Sequence, residues 1–226
     1  MIRMAVFDMA GTTVNEDNVV YKILQKSINE HGFDFSLAQV LESGAGKEKS
    51  QAVKSILKKY ASIENDVLTD EIYQHFIIQL NEAYKYLDVQ PQPNAIELFR
   101  ILKQKNILVI LNTGYNSETA LSLIEKLGWR KGIEYDGLIT ASDVKNNRPE
   151  PDMILLAMEK FGIQNANDVV KLGDSIFDIE EGRNAGCALN IGITTGAHTF
   201  QQLQTANPDY IINNLLEFIP IIELNA

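Results

Sequence analysis

The 226-residue sequence predicts an α/β protein: a doubly wound parallel sheet with an all-helical domain inserted after its first strand. Three observations carry that expectation. From residue 107 onward, short apolar runs alternate with stretches of helical spacing. One further apolar run, Ile2 to Phe7, stands alone at the start. Between the two lies a long block with helical periodicity and no convincing strand.

Ile2 to Phe7 is rich in strand formers, long enough for a buried strand and too short for a helix, and it ends on Asp8. From about Val19 to Tyr86, helical spacing shows in Val20/Ile23/Leu24/Ile28, in Val53/Ile56/Leu57/Tyr60 and in Ile72/Phe76/Ile77/Leu80. The stretch Asp88 to Pro93 breaks the pattern, and a helix from about Asn94 to Lys105 follows. Strand Ile107–Leu111 then leads to helix Glu118–Leu127 and strand Gly137–Thr140. Helix Pro151–Phe161 precedes strand Val169–Leu172, helix Glu180–Ala185 precedes strand Ala188–Ile193, and a short strand closes the series near Tyr210–Ile212. Such alternation calls for a parallel sheet covered on both faces. The first strand belongs with the later ones, because the helical block offers its backbone no partner. Residues 1–14 and 87–226 are therefore expected to form the core, and 15–86 the insertion.

Composition excludes several function classes. The net charge is -10, and basic residues cluster no further than pairs such as Lys58-Lys59, which argues against nucleic acid or an anionic membrane as partner. A single cysteine, Cys187, excludes a disulfide framework and a multi-cysteine zinc site, and core packing is its expected role. No 18 apolar residues run together, and the first residues carry no basic region or small-residue cleavage site; the expectation is a soluble, cytoplasmic protein. Homodimer formation is left open.

The residues just after the strands are Asp8, then Asn112-Thr113-Gly114-Tyr115, then Ser142-Asp143 with Arg148 beyond, then Gly173-Asp174-Ser175 with Asp178. In an open parallel sheet these converge on one crevice. Asp8, Asp174 and Asp178 together would repel unless a cation sat among them, and oxygen-only ligands suit Mg²⁺. Thr113 and the backbone N–H groups after Asp8 suit a phosphoryl group, which Arg148 is expected to neutralise through a bidentate contact.

In order and spacing, Asp8-x-x-Gly11-Thr12, the strand-terminal Thr113, Arg148-Pro149-x-Pro151 and Gly173-Asp174-x-x-x-Asp178 resemble the four motifs of the haloacid dehalogenase superfamily. The resemblance implies a Rossmann-like core with a helical cap, and Asp8 as the nucleophile that forms an aspartyl-phosphate. It also implies Mg²⁺ held by Asp8, the backbone carbonyl of Ala10, Asp174 and Asp178, the last directly or through water. Thr12, Thr113, Gly114, Tyr115 and Arg148 would bind the substrate.

Most phosphatases of that superfamily carry a second aspartate two residues after the nucleophile, as acid and base, and here that residue is Ala10. Losing such a group costs about 10² to 10⁴ in rate. "DMAGTT", "TGY", "RPEP" and "GDSIFDIEEGRNAG" are similar to the phosphonatase-like branch, the phosphonoacetaldehyde hydrolases and their relatives. In that branch a cap lysine forms a Schiff base with an aldehyde, so that a carbon atom becomes the leaving group. Lys47, in the glycine-containing loop before a helix expected over Lys47–Tyr60, is the lysine this implies, with Lys49 and Lys54 as solvated residues. Its surroundings depart from the branch, with Ser43-Gly44-Ala45-Gly46 before it and Ser50 where the branch has histidine. "GAGKEKS" fails as a phosphate-binding P-loop, since Leu41 stands where its first glycine belongs. Among the histidines only His198 is expected near the site.

The expected activity is thus Mg²⁺-dependent hydrolysis of a small organophosphorus compound through Asp8, of the phosphonoacetaldehyde type. A phosphomonoesterase acting on a small ester such as a sugar phosphate or phosphoglycolate is the alternative. A phosphate-binding module descended from such an enzyme is the third reading.

Overall fold

The computed structural model describes residues 1–225. The first strand, β1 (Met4–Asp8), leads through the short strand β2 (Val14–Asn15) into four helices: α1 (Val19–Asn29), α2 (Leu37–Gly44), α3 (Lys49–Ala61) and α4 (Asp66–Tyr86). The short strand β3 (Gln90–Pro91) pairs antiparallel with β2 and returns the chain to the sheet. Then follow α5 (Ala95–Gln104), β4 (Leu108–Thr113), α6 (Ser117–Leu127), β5 (Gly137–Thr140), α7 (Asp152–Phe161) and β6 (Val169–Gly173). The chain ends with α8 (Ile176–Ala185), β7 (Leu189–Ile193), α9 (Phe200–Thr205), β8 (Tyr210–Ile212) and α10 (Phe218–Leu224).

Six strands form one sheet in the order β5-β4-β1-β6-β7-β8, every neighbouring pair parallel. This is the doubly wound α/β core expected from the sequence. After β1 the chain builds outward on one side through β4 and β5, then crosses to build the other through β6, β7 and β8. The carboxyl ends of β1, β4 and β6 therefore meet at the point where strand order reverses, the crevice such sheets use for ligands. Register makes the meeting tight: Asp8 lies beside Asn112, and Val6 beside Lys171.

β1 is buried along its whole length, and its alternating side chains face two cores. Ala5 and Phe7 join the cluster that contains Leu98, Leu123 and Phe218 from α5, α6 and α10. Met4 and Val6 join Met153, Ile154 and Ala157 of α7. The Phe7 ring packs at a tilt against Phe99, 5.6 Å between centres, and against Phe218, at 5.4 Å. Full burial of such a side chain contributes about 1.5–3 kcal/mol, so β1 is a rigid base for the aspartate at its end. Cys187 packs in the second core, as expected.

Several elements differ from the sequence reading. The helical block holds four helices rather than three; α2, passed over in the sequence, is only eight residues long, although Leu37, Val40 and Leu41 keep helical spacing and Ser36 and Gln39 form a capping box at its start. Helix α3 begins at Lys49, with Glu48 as its N-cap, two residues later than Lys47. Helix α8 begins at Ile176 rather than Glu180, because Ser175 and Asp178 form a capping box there. Among the described residues, no helix is long and apolar enough to cross a membrane.

Candidate active site

At the carboxyl edge of the sheet the structure brings together Asp8, Asn112, Thr113, Arg148, Asp174 and Asp178, all buried. Arg148 Nη1 donates to Asp8 Oδ1 at 2.7 Å and lies 2.9 Å from Asp178 Oδ1. Its Nε donates to Glu181 Oε2 at 2.9 Å, and its Nη2 to the Asn112 carbonyl at 2.9 Å and to the Asn112 side-chain oxygen. The expected bidentate contact with a phosphoryl group is therefore not what the guanidinium offers. Two of its three nitrogens are taken by Glu181 and Asn112, and one edge faces Asp8. Burial, then the Asp178 charge, push the Asp8 carboxyl up, and Arg148 and Lys171 only partly offset them.

Behind Asp8 stands Lys171, from the middle of β6 and fully buried. Its Nζ is 3.0 Å from Asp178 Oδ1 and 3.1 Å from Glu181 Oε2, and it donates to Asn112 Oδ1 at 2.9 Å. Asp178 Oδ2 accepts from Ser175 Oγ at 2.6 Å. Burial opposes ionisation of Asp178, yet Arg148 and Lys171 hold its carboxyl below the usual range. Asp178, read from the sequence as a metal ligand, is thus occupied on both oxygens: it caps α8 and ties down the two cations.

Asp174 differs. Its Oδ2 accepts from the Ala197 N–H at 2.6 Å, and its Oδ1 is 3.5 Å from Thr12 Oγ1. Burial, then the charges of Asp8 and Asp178, push its carboxyl well up. Gly11 and Gly196 crowd it, and a Cβ on either would fall 2.4 Å and 1.9 Å from Asp174 Oδ2. Thr113 Oγ1 accepts from the Tyr115 N–H at 3.2 Å, and Thr13 Oγ1 donates to the Asp8 carbonyl at 2.8 Å, so both hydroxyls fix turns around the crevice. His198 is also buried beside this loop: its Nδ1 accepts from the Ile176 N–H and its Nε2 faces the Leu41 carbonyl of α2.

The loop between α2 and α3 closes over this edge. Gly46 has φ 77°, and a Cβ there would lie 2.1 Å from Ser175 Oγ; a Cβ on Gly114 would lie 2.9 Å from the Lys47 carbonyl. Gly46 donates its N–H to the Tyr21 hydroxyl at 3.0 Å, and its carbonyl is 3.4 Å from Arg148 Nη1. The structure does not bring the Lys47 side chain to the crevice. Its Nζ donates to Ser55 Oγ at 3.0 Å and lies 4.5 Å from the centre of the Phe177 ring, in an outer groove of about 550 Å³ lined also by Glu42, Ser43, Lys58 and Lys59. Lys49, read as solvated, is the buried one. Its Nζ donates to the Lys47 carbonyl at 2.8 Å, and lies 5.0 and 5.4 Å from the ring centres of Tyr21 and Tyr115. Burial pulls its ammonium down to about 8, with Glu48 and Asp8 the leading opposing charges. The exchange follows from the helix boundary: Lys49 opens α3 and turns inward, while Lys47 lies outside the helix on the far side of the loop.

With this geometry in view, comparison with known proteins decides the family: residues 2–186 match the profile of the haloacid dehalogenase-like hydrolases. The chain belongs to that family. It is a phosphatase-type hydrolase. A phosphonoacetaldehyde hydrolase from Parabacteroides distasonis is 30% identical over 210 residues, covering 85% of this chain and 76% of that protein. A bifunctional phosphonoacetaldehyde hydrolase/aminoethylphosphonate transaminase from Clostridioides difficile is 28% identical over 200 residues, which span 82% of this chain but only 30% of that longer protein. The crystal structure of a phosphonoacetaldehyde hydrolase-like protein from Oleispira antarctica superposes with a TM-score of 0.84 at 22% identity, covering 98% of this chain and 91% of that one.

A haloacid dehalogenase-like hydrolase is expected to hold Mg²⁺; among the described residues no three histidine, cysteine or acidic side chains stand assembled as a metal cluster, and the fit lies in the charge balance. Four buried carboxyls of the sheet edge, Asp8, Asp174, Asp178 and Glu181, face two buried cations, Arg148 and Lys171. Asp174 has no cationic partner among the described residues, and its upward shift is what a divalent ion would reverse. Lys171 and Glu181 were missed in the sequence, and Asn112 was placed at the crevice without a role. A lysine inside the apolar strand Val169–Gly173 was the available signal, because a charge there must be paired.

Proposed function

We propose that this hydrolase cleaves the carbon–phosphorus bond of a small carbonyl-bearing phosphonate, phosphonoacetaldehyde being the first to test, with Asp8 as nucleophile and Lys49 as the Schiff-base amine. The observation that carries the reading is a buried lysine held against the rings of Tyr21 and Tyr115 and within the field of Asp8, in a chain whose residue 10 has no acidic side chain. Schiff-base formation needs the free amine, and desolvation supplies it near neutral pH.

Lys49 attacks the aldehyde carbon and water leaves, giving an iminium ion. The Asp8 carboxylate then attacks phosphorus in line, the carbon–phosphorus bond breaks, and its electron pair passes into the iminium to form an enamine. The carbon–phosphorus cleavage itself needs no proton on a leaving oxygen, so Ala10 does not handicap that step. Arg148, clamped by Glu181 and Asn112, opposes the upward push of burial on Asp8, and Thr12, Thr113 and the N–H groups around Gly11 and Gly114 face the phosphoryl oxygens. Asp8, Asp174 and the Ala10 carbonyl would hold Mg²⁺, whose chemistry is to neutralise phosphoryl charge. The substrate is a small organophosphorus compound, and the cytoplasm is the proposed compartment.

The test is a panel of phosphonates and phosphate esters at equal enzyme and Mg²⁺, scored for released phosphate. Turnover of phosphonoacetaldehyde, abolished in Lys49→Arg and retained in Lys47→Ala, supports the reading. Turnover of phosphate esters alone, indifferent to Lys49→Arg, overturns it.

A further inference from the structure

Glu16 has no part in the site so far described. It stands between β2 and α1 and is 3% exposed. Its Oε2 accepts from the Val20 N–H at 3.2 Å and from the Tyr84 hydroxyl at 3.0 Å. The Tyr84 and Tyr115 hydroxyls are 3.5 Å apart, and the Lys49 ammonium lies over the Tyr115 ring. A buried carboxyl, two hydroxyls and a buried amine thus form a row from the base of the helical block to the lysine. Capping α1 needs only the Val20 bond, which a short exposed side chain gives at no desolvation cost.

We infer that Glu16 is the proton-holding partner of Lys49, serving through Tyr84 and Tyr115 the proton transfers that residue 10 cannot. The inference rests on the Schiff-base reading for its chemistry. When the Lys49 amine has added to the aldehyde, the carbinolamine must lose its hydroxyl. Glu16 gives a proton to that oxygen, the C–O bond breaks, the nitrogen lone pair forms C=N, and water leaves. Glu16 is left as a carboxylate beside the iminium. After phosphorus has gone to Asp8, the enamine carbon takes a proton from solvent water and becomes an iminium again; as that iminium is hydrolysed, the Glu16 carboxylate takes a proton back from the attacking water.

The electrostatics fit. Glu16 is faced by Tyr84 from α4, Tyr115 from the loop after β4, Lys49 from α3 and Tyr21 from α1. Lys49 is faced by Glu48, Asp8, Arg148, Glu16 and the two tyrosine rings. In water a lysine and a glutamate titrate at 10.5 and 4.5; here burial brings the ammonium to about 8 and the carboxyl to about 7. The tyrosine hydroxyls, pushed well up, stay protonated. Neutral amine with neutral acid holds as many protons as ammonium with carboxylate. The reactive pairing is therefore available in a window around these two values and is lost on either side, by protonating Glu16 below it and by deprotonating Lys49 above it.

Carbon-13 and nitrogen-15 NMR titration of the whole protein, without substrate, should find the Glu16 carboxyl and Lys49 amine changing state near these values, and Glu16→Gln should lower the Lys49 midpoint. A Glu16 midpoint near 4.5 overturns the inference whatever the substrate is. With phosphonoacetaldehyde, the rate of borohydride-trapped adduct formation should be bell-shaped in pH. In Glu16→Gln, which preserves both hydrogen bonds to Oε2, it should be about 10²-fold slower and lose the fall on the alkaline side. Tyr84→Phe, which leaves the Val20 cap intact, should show the same slowing. Wild-type rates and pH profile in Glu16→Gln overturn the inference. Absence of any adduct in the wild type, with the NMR midpoints as stated, overturns the Schiff-base reading and leaves the proton-sharing pair standing.

Discussion

Lys171→Met offers the strictest check on the buried charges. The substitution keeps a stem of similar volume in β6 and removes the ammonium that lies 3.0 Å from Asp178, 3.1 Å from Glu181 and 2.9 Å from Asn112. Asp178 and Glu181 are then left to Arg148 alone, which also serves Asp8. Removing one partner of a buried pair costs about 3–5 kcal/mol, and a lysine shared by two carboxylates belongs in the upper half of that range. At about 2–4 °C per kcal/mol for a chain of this size, the thermal midpoint should fall by roughly 8–20 °C. The pH dependence gives the sign. A carboxylate orphaned in the folded variant has its pKa raised above its unfolded value of about 4, so the penalty is full above the raised pKa and shrinks as pH falls through it. Urea unfolding of both proteins at about pH 8 and about pH 5.5 measures this. A loss below about 1 kcal/mol at the higher pH, or a deficit that grows on acidification, would refute the reasoning.

Two further substitutions probe the site from other directions. Gly46→Ala forces a left-handed backbone on alanine and drives a Cβ to 2.1 Å from Ser175 Oγ, so the loop must lift from the core. A loss of about 1–3 kcal/mol in thermal unfolding is expected, with KM for the phosphonate raised; unchanged KM would contradict the close approach. Ala10→Asp restores the acid that the chain lacks, and its hydrolysis of phosphate esters should rise by about 10², read as phosphate released; no rise would contradict the explanation of the alanine.

Most of the sheet was legible because a buried parallel strand announces itself as a short apolar run, and strands Gly137–Thr140 and Tyr210–Ile212 stand where periodicity placed them. Strand ends delivered Asp8, Thr113 and Asp174 to one place for the same reason: topology alone carries them there. Helix starts were less legible, since capping by Glu48 and Ser175 depends on single side chains and not on period. That small uncertainty had the largest consequence. Two residues of helix boundary decide whether Lys47 or Lys49 turns inward. The ion pairs of Arg148 with Glu181 and Asp8 were hidden altogether, because they join residues 33 and 140 positions apart that no local pattern connects, and so was the hydrogen bond from Lys171 to Asn112, 59 positions away.

The central claim is that Lys49 carries the carbonyl chemistry. Its most direct measurement is mass spectrometry of tryptic peptides after borohydride reduction in the presence of phosphonoacetaldehyde and Mg²⁺. An adduct on Lys49, with cleavage blocked after that residue and unimpeded after Lys47, is the result predicted. An adduct on Lys47, or turnover of the phosphonate with no lysine adduct, would contradict it.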